Sequence, residues 1–466
     1  MSEYGDKCAL VIDNGLFTHT AIKLSESFGK VYYMTPWVNA FPKSNATLPG
    51  DGLDEITRIK HWEEHLDEAD LVVFPDVMFG PLQTLMVNMG KRVWGSRLGE
   101  RLELDRWWFK KLLKRLDMPI AESHLIVGVD ALVRFLKTHK NFWVKTSLYR
   151  GDFETYQSKT YEHVKPRLDK LISDLGEKGK IYQFIVEKNI DAVVELGFDG
   201  FCIGGKYPKV AAFGKELKDC GYIGVAKEYE QFPIELKWSN QMLSSTLERF
   251  NYRGFISSEI RCTKEPATVE EPDRFEDCEM IWNKGNPPEG SEFYCYATDP
   301  CTRMASPPGE AYIEWFDNWP EIMYEGADGN LVTPIPIGKY AAEIMIHSGF
   351  ADQHWQPVVF PDEIKRWVKL RNCCRIEGVY SAVPQSVGLP EIGAVIGIHD
   401  DLKTAMQLTL ERSTKIDGYF IESKQDAIGC IITEINNAQD EGIQFTDDPL
   451  PSAEDIERLQ LCLTDG

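Results

Sequence analysis

The sequence predicts an α/β and α+β protein that begins with a small doubly wound domain. Short apolar strands alternate with helical segments over about the first 100 residues, which is typical of a parallel sheet with crossover helices. Strand-rich stretches without this regular alternation follow from about residue 121. The chain has 466 residues, 43% of them apolar, which is enough for about two to four domains with their own cores.

The strands of the N-terminal domain end in polar residues. Four apolar segments predict these strands: CALVIDNG (8–15), KVYYMTP (30–36), ADLVVFPD (69–76) and GKRVWGS (90–96). In doubly wound sheets, ligands bind at the carboxyl ends of the strands. We therefore expect Asn14, Gly15 and Asp76 to contact a substrate. His19 is a further candidate, although it could also be an ordinary residue at the start of the following helix.

The rest of the chain divides into three further predicted units. A basic amphipathic helix in LELDRWWFKKLLKRLDMPIAES (102–123) is expected to end before Pro119 and to lead into a small α+β module. A larger α+β module follows, in which a stretch rich in Gly, Pro and Asn predicts an extended insertion. The expected domains are residues 1–104, 105–188, 189–345 with the insertion near 283–310, and 346–466.

Composition excludes several classes of function. The net charge of -22 opposes binding to duplex nucleic acid or to anionic membranes, because both carry a negative field. The eleven cysteines include no CxxC pair, which argues against a zinc ribbon and favours reduced thiols in a cytoplasmic protein. No apolar run approaches the roughly 20 residues of a membrane helix.

Charged residues in the middle of the chain form a pattern typical of phosphoryl transfer. Lys145 lies within the apolar strand FWVKTS, where burial of its charge is costly unless it meets an anion. Arg150 and Gly151 follow in a turn that could fold over phosphates. Lysines for phosphates, carboxylates for Mg²⁺ and an arginine for the transferred group are what such a site needs. The candidates are Lys145, Glu187, Glu195, Lys215, Lys218, Glu259, Glu270 and Arg274.

Structural explanations remain open for some of these residues. Lys215 and Lys218 could line a surface helix, and Glu187 taken alone could be a solvated strand end. The stretch ATVEEPDRFEDCEMIW (267–282) has seven charged residues among sixteen and could be a solvated acidic loop. His61 and His65 have the spacing of two metal ligands on one helix, but they lack a third ligand and fit an exposed face better. There is no GxxxxGK[ST] loop and no kinase HRD or DFG motif.

The order of these motifs resembles the ATP-grasp superfamily, and in particular the phosphoribosylamine–glycine ligases. VEEPDRFEDCE (269–279) matches the family's strand-terminal Glu followed by Arg-Phe-x-Asp-x-Glu. GSRLGERLELDRWWFKKLLKRLDMPIAES (95–123) and GAVIGIHDDLKTAM (393–406) are similar to further family segments, so the resemblance spans roughly residues 8–435. It implies an ATP-grasp fold with a Rossmann-like preATP-grasp domain at the N-terminus and a small mixed C-terminal domain.

The resemblance also implies roles for individual residues. Arg106 and Lys145 would contact the phosphates of ATP, and Lys215 or Lys218 would reach the triphosphate. Glu187 would lie at the adenine-binding hinge, and Glu195 would bind the ribose hydroxyls. Glu259 and Glu270 would hold Mg²⁺, and Arg274 would steady the transferred phosphoryl group. In this family, a carboxylate usually attacks the γ-phosphate and an amine then displaces phosphate to leave an amide.

Three departures from the family pattern matter for function. Pro272 occupies the position of the third metal ligand, so Asp273 or a water would have to replace it. Leu16 and Phe17 stand where the family's phosphoribosylamine loop has Gly and Arg, and a Phe cannot grip a phosphate as an Arg does. The family's Asn-Thr-Gly-Gly-Met-Gly segment is absent.

Three functional hypotheses follow. The first is an ATP- and Mg²⁺-dependent ligase that joins an amino acid such as glycine to an amine acceptor other than phosphoribosylamine, for example a nucleotide or modified base. The second is an ATP-binding scaffold that has lost turnover. The third is true phosphoribosylamine–glycine ligase activity in purine biosynthesis. The ligase hypotheses take small-molecule substrates, and we expect a cytoplasmic monomer or homodimer.

Overall fold

The computed structural model describes residues 4–35, 49–146, 155–276, 278–351, 354–384 and 391–461. The predicted turn at Arg150 and Gly151 lies outside these residues, as does Asp277 of the acidic stretch. No helix in the described part of the chain is long and apolar enough to cross a membrane.

The described residues form the following strands: β1 Cys8–Ile12, β2 Lys30–Met34, β3 Thr57–Arg58, β4 Leu71–Val73, β5 Val93–Trp94, β6 Ile120–Val127, β7 Phe142–Thr146, β8 Tyr156–Ser158, β9 Gln183–Lys188, β10 Val194–Ile203, β11 Val210–Leu217, β12 Gly221–Glu228, β13 Arg253–Thr263, β14 Cys278–Asn283, β15 Tyr294–Ala297, β16 Tyr340–Ser348, β17 Gln356–Val358, β18 Val368–Leu370, β19 Cys373–Ile376, β20 Val379–Ala382, β21 Glu391–His399 and β22 Ile421–Ser423.

The same residues form these α-helices: α1 Thr18–Ser25, α2 Gly80–Asn88, α3 Arg101–Leu104, α4 Arg106–Arg115, α5 Val129–Thr138, α6 Tyr161–Leu175, α7 Ile234–Arg249, α8 Gly309–Trp315, α9 Trp319–Asp328, α10 Leu402–Ser413, α11 Ala427–Asp440 and α12 Ala453–Leu461. Short 3₁₀ helices cover Trp62–Glu64, Arg97–Glu100, Gly176–Lys180, Tyr229–Gln231 and Asp362–Trp367.

The N-terminal sheet is parallel and has the strand order β3-β2-β1-β4-β5. Its four predicted strands are present, and the two-residue β3 adds an edge strand that the sequence did not predict. The central strand β1 is buried along its whole length, as expected for a strand covered on both faces. The structure confirms the predicted doubly wound domain.

Two antiparallel sheets follow. The small sheet has the order β14-β6-β9-β7-β8, and α5 and α6 pack against it. The large sheet has the order β15-β13-β10-β11-β12-β16-β21-β18, with β22 beside β16. A short sheet, β17-β20-β19, lies near the C-terminal end of the chain. The combination confirms the predicted α/β and α+β class.

The structure differs from the sequence predictions at three places. The predicted basic helix is divided into α3 and α4 at Asp105, whose side chain caps α4 by accepting a hydrogen bond from the backbone of Trp108 at 3.0 Å. The segment predicted as an insertion, 283–310, contains β15, which pairs with β13 and is therefore part of the large sheet. The expected boundary at 345/346 falls within β16, so the large sheet continues across it.

Candidate active site

A cavity of about 530 Å³ separates the small sheet from the large sheet. Side chains from α4 and β9 line one side of it, and side chains from β10, β11 and β13 line the other. About half of the residues that line it are charged: Glu103, Arg106, Lys110, Glu187, Glu195, Asp199, Lys215, Glu216, Lys218, Asp219, Glu259, Arg261, Asp299, Arg303 and Glu434. Six of the residues expected at a nucleotide site are thus brought together here: Arg106, Glu187, Glu195, Lys215, Lys218 and Glu259.

Lys145 joins the two sides of the cavity. It lies on β7, is 7% exposed, and its Nζ is 2.6 Å from Oδ2 of Asp299 and 3.3 Å from Oε2 of Glu187. Burial alone would lower the pKa of Lys145, but the two carboxylates outweigh it and raise the pKa above its ordinary value. The buried lysine is therefore a cation at neutral pH, and its present partners are anions in the cavity.

Glu187, near the end of β9, is held by two cations. Its Oε1 is 3.0 Å from Nζ of Lys110, and its other oxygen faces Lys145. Burial would raise the pKa of Glu187, yet the lysines hold it below its ordinary value. The carboxylate is thus charged and fixed at the junction between the small sheet and β10.

Arg106 reaches the cavity because α4 begins there. Its Nη1 donates a hydrogen bond to the carbonyl of Thr146 at 2.9 Å, which ties the helix start to the end of β7. Its Nε lies 3.7 Å from Oδ1 of Asp299. Burial would raise the pKa of Asp299, but Lys145 and Arg106 lower it well below its usual range. One carboxylate is therefore shared by the two cations that stand closest to it.

Glu195, near the start of β10, is paired in the same manner. Nζ of Lys215 lies 2.8 Å from Oε2, and Nε of Arg261 lies 2.8 Å from Oε1. Burial opposes the charged form, but these cations lower the pKa of Glu195 overall. Arg261 was not a sequence candidate; it shares a face of β13 with Glu259 because residues two apart point the same way.

Glu259 lies on β13, and Asp299 follows the neighbouring strand β15. β13 pairs with β15 through Ile260 and Ala297, and Oγ1 of Thr298 donates to Oε1 of Glu259 at 3.2 Å. The pKa of Glu259 is raised by burial and then by the nearby charge of Glu195. A cation between Glu259 and Asp299 would relieve this repulsion, and carboxylate oxygens are ligands that Mg²⁺ prefers.

The strand ends of the N-terminal sheet meet beside this cavity. Nδ2 of Asn14 donates to Oδ2 of Asp76 at 3.1 Å, since β1 and β4 are neighbours. Gly15 has a φ of +100°, and its carbonyl accepts from the backbone of Asn372. Asn14, Gly15 and Asp76 do not line the cavity. Arg303 lines it, and its Nε lies 4.0 Å from Oδ1 of Asp76.

No protein-family model and no curated protein matches the sequence. Solved structures do match. Phosphoribosylamine–glycine ligase from Thermotoga maritima has a TM-score of 0.63 at 14% identity, covering 90% of this chain and 99% of that one. The biotin carboxylase domain of 2-oxoglutarate carboxylase from Hydrogenobacter thermophilus, solved with MgADP, ADP and bicarbonate, has a TM-score of 0.60 at 12% identity, covering 94% and 96%.

A third match is N5-carboxyaminoimidazole ribonucleotide synthetase from Thermotoga maritima, with a TM-score of 0.50 at 13% identity, covering 89% of this chain and 99% of that one. The chain has the ATP-grasp fold. This confirms the fold that the sequence resemblance implied. In this ATP-grasp fold the cavity lies between the two antiparallel sheets, where the predicted lysines and glutamates converge.

The structure places Glu270, Asp273 and Arg274 outside this cavity. β13 ends at Thr263, seven residues before Glu270, and all three side chains are exposed on the connection to β14. The connection leaves the large sheet and joins the small one, because β14 pairs with β6. The acidic stretch is therefore a link between the two sheets, and its described carboxylates do not line the cavity.

Asp299 and Arg303 line the cavity and have the same spacing as the predicted acid and arginine. Asp299 follows β15 after a single residue, and Arg303 comes four residues later, the same spacing as Glu270 to Arg274. Arg303 is bound to Oε1 of Glu103 at 2.9 Å. The signal that could have identified them is an acid and an arginine with this spacing directly after the short strand FYCYA.

His19 lies apart from the strand ends, in the buried interior. It is 3% exposed, and neither ring nitrogen has a hydrogen-bond partner among the described residues. Burial lowers its pKa to about 4; Glu310 and Glu314 oppose this shift, while Lys369 and Arg371 add to it. The imidazole is therefore neutral at physiological pH.

This environment predicts a pH effect on stability. A lowered folded-state pKa means that the unfolded chain binds the proton first, so this contribution is complete above about pH 6.5 and lost as pH falls toward 4. We expect His19 to reduce the free energy of unfolding by about 2 kcal/mol between about pH 7.5 and pH 5. The free energy of unfolding of His19→Gln, measured by urea denaturation, should therefore fall less steeply between these two pH values. His163 is exposed, so the control His163→Gln should show the same change in unfolding free energy with pH as the wild type. An equal change in the wild type and in His19→Gln would contradict the lowered pKa of His19.

Proposed function

We propose that the protein is an ATP- and Mg²⁺-dependent carboxylate–amine ligase that forms an amide through an acyl phosphate. The observation that carries this proposal is that Arg106, Glu259 and Asp299 line one cavity of an ATP-grasp fold, with the buried Lys145 bound to Asp299 at its edge. Phosphate-binding cations and metal-binding carboxylates are the two requirements of phosphoryl transfer, and here they come from opposite sides of a single site.

The cations in the cavity suit a triphosphate. Arg106, Lys145 and Lys215 are each paired with a carboxylate, and phosphate oxygens would replace those carboxylates as their partners. Lys218 also lines the cavity, and its positive charge would add to the attraction for the triphosphate. Glu187 would lie at the adenine-binding hinge, and Glu195 would accept hydrogen bonds from the ribose hydroxyls.

Mg²⁺ would be held by Glu259 and Asp299. Their arrangement fits a metal that takes one or two protein carboxylates and completes its shell with phosphate oxygens and waters. When bound, the ion would offset the negative charge that accumulates between a carboxylate substrate and the triphosphate. Asp299 would take this role in place of Glu270 and Asp273, whose side chains are exposed to solvent.

In the proposed reaction, a carboxylate oxygen of an amino acid such as glycine attacks the γ-phosphorus of ATP, and ADP leaves. The amine nitrogen of the acceptor then attacks the acyl carbon, inorganic phosphate leaves, and the nitrogen loses a proton to solvent. Lys145 and Arg106 would stabilise the negative charge on the transferred phosphoryl group throughout. We propose an acceptor other than phosphoribosylamine, because Phe17 is a 1% exposed core residue where the resembling ligases carry an arginine.

The test is a screen for ADP release with pairs of amino acids and amines. We expect ADP to form in the presence of Mg²⁺ only when both an amino acid and an amine are present, with one amide formed per ADP. Binding of ATP without ADP release for any pair would favour the scaffold hypothesis. Efficient turnover of phosphoribosylamine with glycine would contradict the proposed change of acceptor.

A further inference from the structure

We propose that the amine acceptor binds as an organic cation, with a second charged nitrogen held by an acidic floor. The acidic floor comprises the carboxylates of Asp199, Glu216 and Glu343, with the hydroxyls of Ser257 and Tyr222. This inference rests on the proposed ligase function and adds the chemical class of its acceptor.

The register of the large sheet brings these groups to one face. Asp199 is opposite Ser257, Glu216 is opposite Tyr222, and Tyr222 is in turn opposite Glu343. Directly opposite residues in antiparallel strands point to the same side of the sheet. All of them except Glu343 line the cavity, so the floor continues the proposed nucleotide site.

The floor is held in a fixed shape. Oδ1 of Asp199 accepts from Oγ of Ser257 at 2.7 Å, and its Oδ2 accepts from the hydroxyl of Tyr222 at 3.0 Å. The Tyr222 ring crosses Gly214, where a Cβ would be only 2.1 Å from the tyrosine oxygen. Only glycine at this position leaves room for the ring, so the carboxylate of Asp199 is rigidly positioned.

Two buried carboxylate oxygens, one in the floor and one next to it, accept no hydrogen bond from the described residues. Glu343 and Glu310 are both 0% exposed, and neither Oε1 of Glu343 nor Oε2 of Glu310 has a hydrogen-bond partner among the described residues. The other oxygens are satisfied, Oε2 of Glu343 by the backbone of Ala311 at 2.9 Å and Oε1 of Glu310 by Arg371 at 3.2 Å. Ser306, which lines the cavity, also donates to Glu310. Both orphaned oxygens belong to side chains directly behind cavity-lining residues, Glu343 opposite Tyr222 and Glu310 bonded to Ser306.

The charge around the floor is unbalanced. Arg371 is already bound to two carboxylates, Glu310 at 3.2 Å and Glu391 at 2.8 Å. Asp199, Glu216 and Glu259 line the same cavity on the large sheet, and their like charges repel one another. An anionic or phosphorylated acceptor would add to this repulsion, whereas a cation would relieve it.

The chemistry favours an organic cation with two nitrogens. An ammonium or guanidinium group only donates hydrogen bonds, and the floor offers carboxylate acceptors. No group of three His, Cys, Asp or Glu side chains among the described residues is placed to hold a metal ion. The attacking nitrogen must be neutral to form an amide, so the nitrogen held as a cation has to be a different one. A diamine or a guanidino amine meets both conditions.

Calorimetric titration of the full chain tests this, with and without a non-hydrolysable ATP analogue and Mg²⁺. Putrescine is the probe, and 4-aminobutanol, butanediol and aminoethyl phosphate are its size-matched comparisons. We expect putrescine to bind at least about tenfold more tightly than each of them. Glu216→Gln and Asp199→Asn should each weaken putrescine binding at least about tenfold while leaving the affinity for the analogue unchanged.

The exposed variant Glu230→Gln is the matched control and should bind putrescine as the wild type does. Equal affinities for putrescine and 4-aminobutanol, tighter binding of aminoethyl phosphate, or unchanged putrescine binding in Glu216→Gln would each overturn the inference. Failure of the ATP analogue to bind would instead contradict the proposed ligase function. The acidic floor is tested separately, by the titration with putrescine.

Discussion

Replacement of Lys145 with alanine is expected to lower kcat/KM for ATP by at least about 10²–10³-fold, the typical loss when one preorganised charge is removed from a developing anion. The effect should be large because Lys145 is buried and contacts both Glu187 and Asp299. Without it, the triphosphate would face two carboxylates with one fewer cation between them. ADP release measured at saturating substrates, together with equilibrium binding of ATP, would separate the loss in turnover from the loss in affinity.

Lys165→Ala is the control for this experiment. Lys165 is an exposed lysine on α6, paired with Asp169 at 2.6 Å, and it lies away from the cavity. Its removal should leave ADP release unchanged. A thermal melt of Lys145→Ala would identify any loss of fold, and Lys145→Met keeps the length of the side chain should the alanine variant unfold. Turnover within about threefold of wild type in a folded Lys145 variant would contradict the role assigned to this residue.

Replacement of Arg371 with leucine is expected to destabilise the protein by about 3–5 kcal/mol, because it leaves buried carboxylates without their cation. Arg371 is 7% exposed and binds Glu310 and Glu391. Glu310 has no exposed surface, so water cannot replace the lost guanidinium at its carboxylate. Urea denaturation would measure the change in the free energy of unfolding.

Arg375→Leu provides the comparison. Arg375 makes a similar ion pair, 2.8 Å from Asp54, but the side chain of Asp54 is 83% exposed. Solvent screens such a pair, so the expected loss is only about 0–1 kcal/mol. If both substitutions cost the same, the network around Glu310 would not contribute to stability in the way that its burial indicates.

Much of the fold could be predicted because local sequence determines it. Short apolar segments with polar residues at their ends predicted the strands of the N-terminal sheet. Their alternation with helical segments predicted that these strands run parallel, as they do in the structure. A lysine inside an apolar strand also needs an anion, and Lys145 lies against the carboxylates of Glu187 and Asp299, while its role toward ATP stays a prediction.

Asp299, the carboxylate proposed to bind Mg²⁺ together with Glu259, was not among the sequence candidates. Asp299 reaches the cavity only because β15 pairs with β13, and about 30 residues separate the two strands. The spacing of Asp299 and Arg303 is visible in the sequence, but the strand pairing that brings Asp299 beside Glu259 is not, and the dense charges near Glu270 resemble a known motif more closely. Composition also worked against Asp299, because the Gly- and Pro-rich residues around it predicted an insertion.

The environment of His19 was equally hidden. Its position at the start of α1 indicated a residue near the strand ends, where a ligand would bind. The groups that surround it, Glu310, Glu314, Lys369 and Arg371, come from segments about 290–350 residues further along the chain. Only the packing of α8 and β18 against α1 places His19 in the interior.

A crystal structure of the protein with a non-hydrolysable ATP analogue and Mn²⁺, located by its anomalous signal, would test the central claim most directly. We predict the triphosphate against Lys145 and Arg106 in the cavity between the two antiparallel sheets, with the metal on Glu259 and Asp299. A nucleotide bound elsewhere, or a metal held by Glu270 and Asp273, would contradict the account.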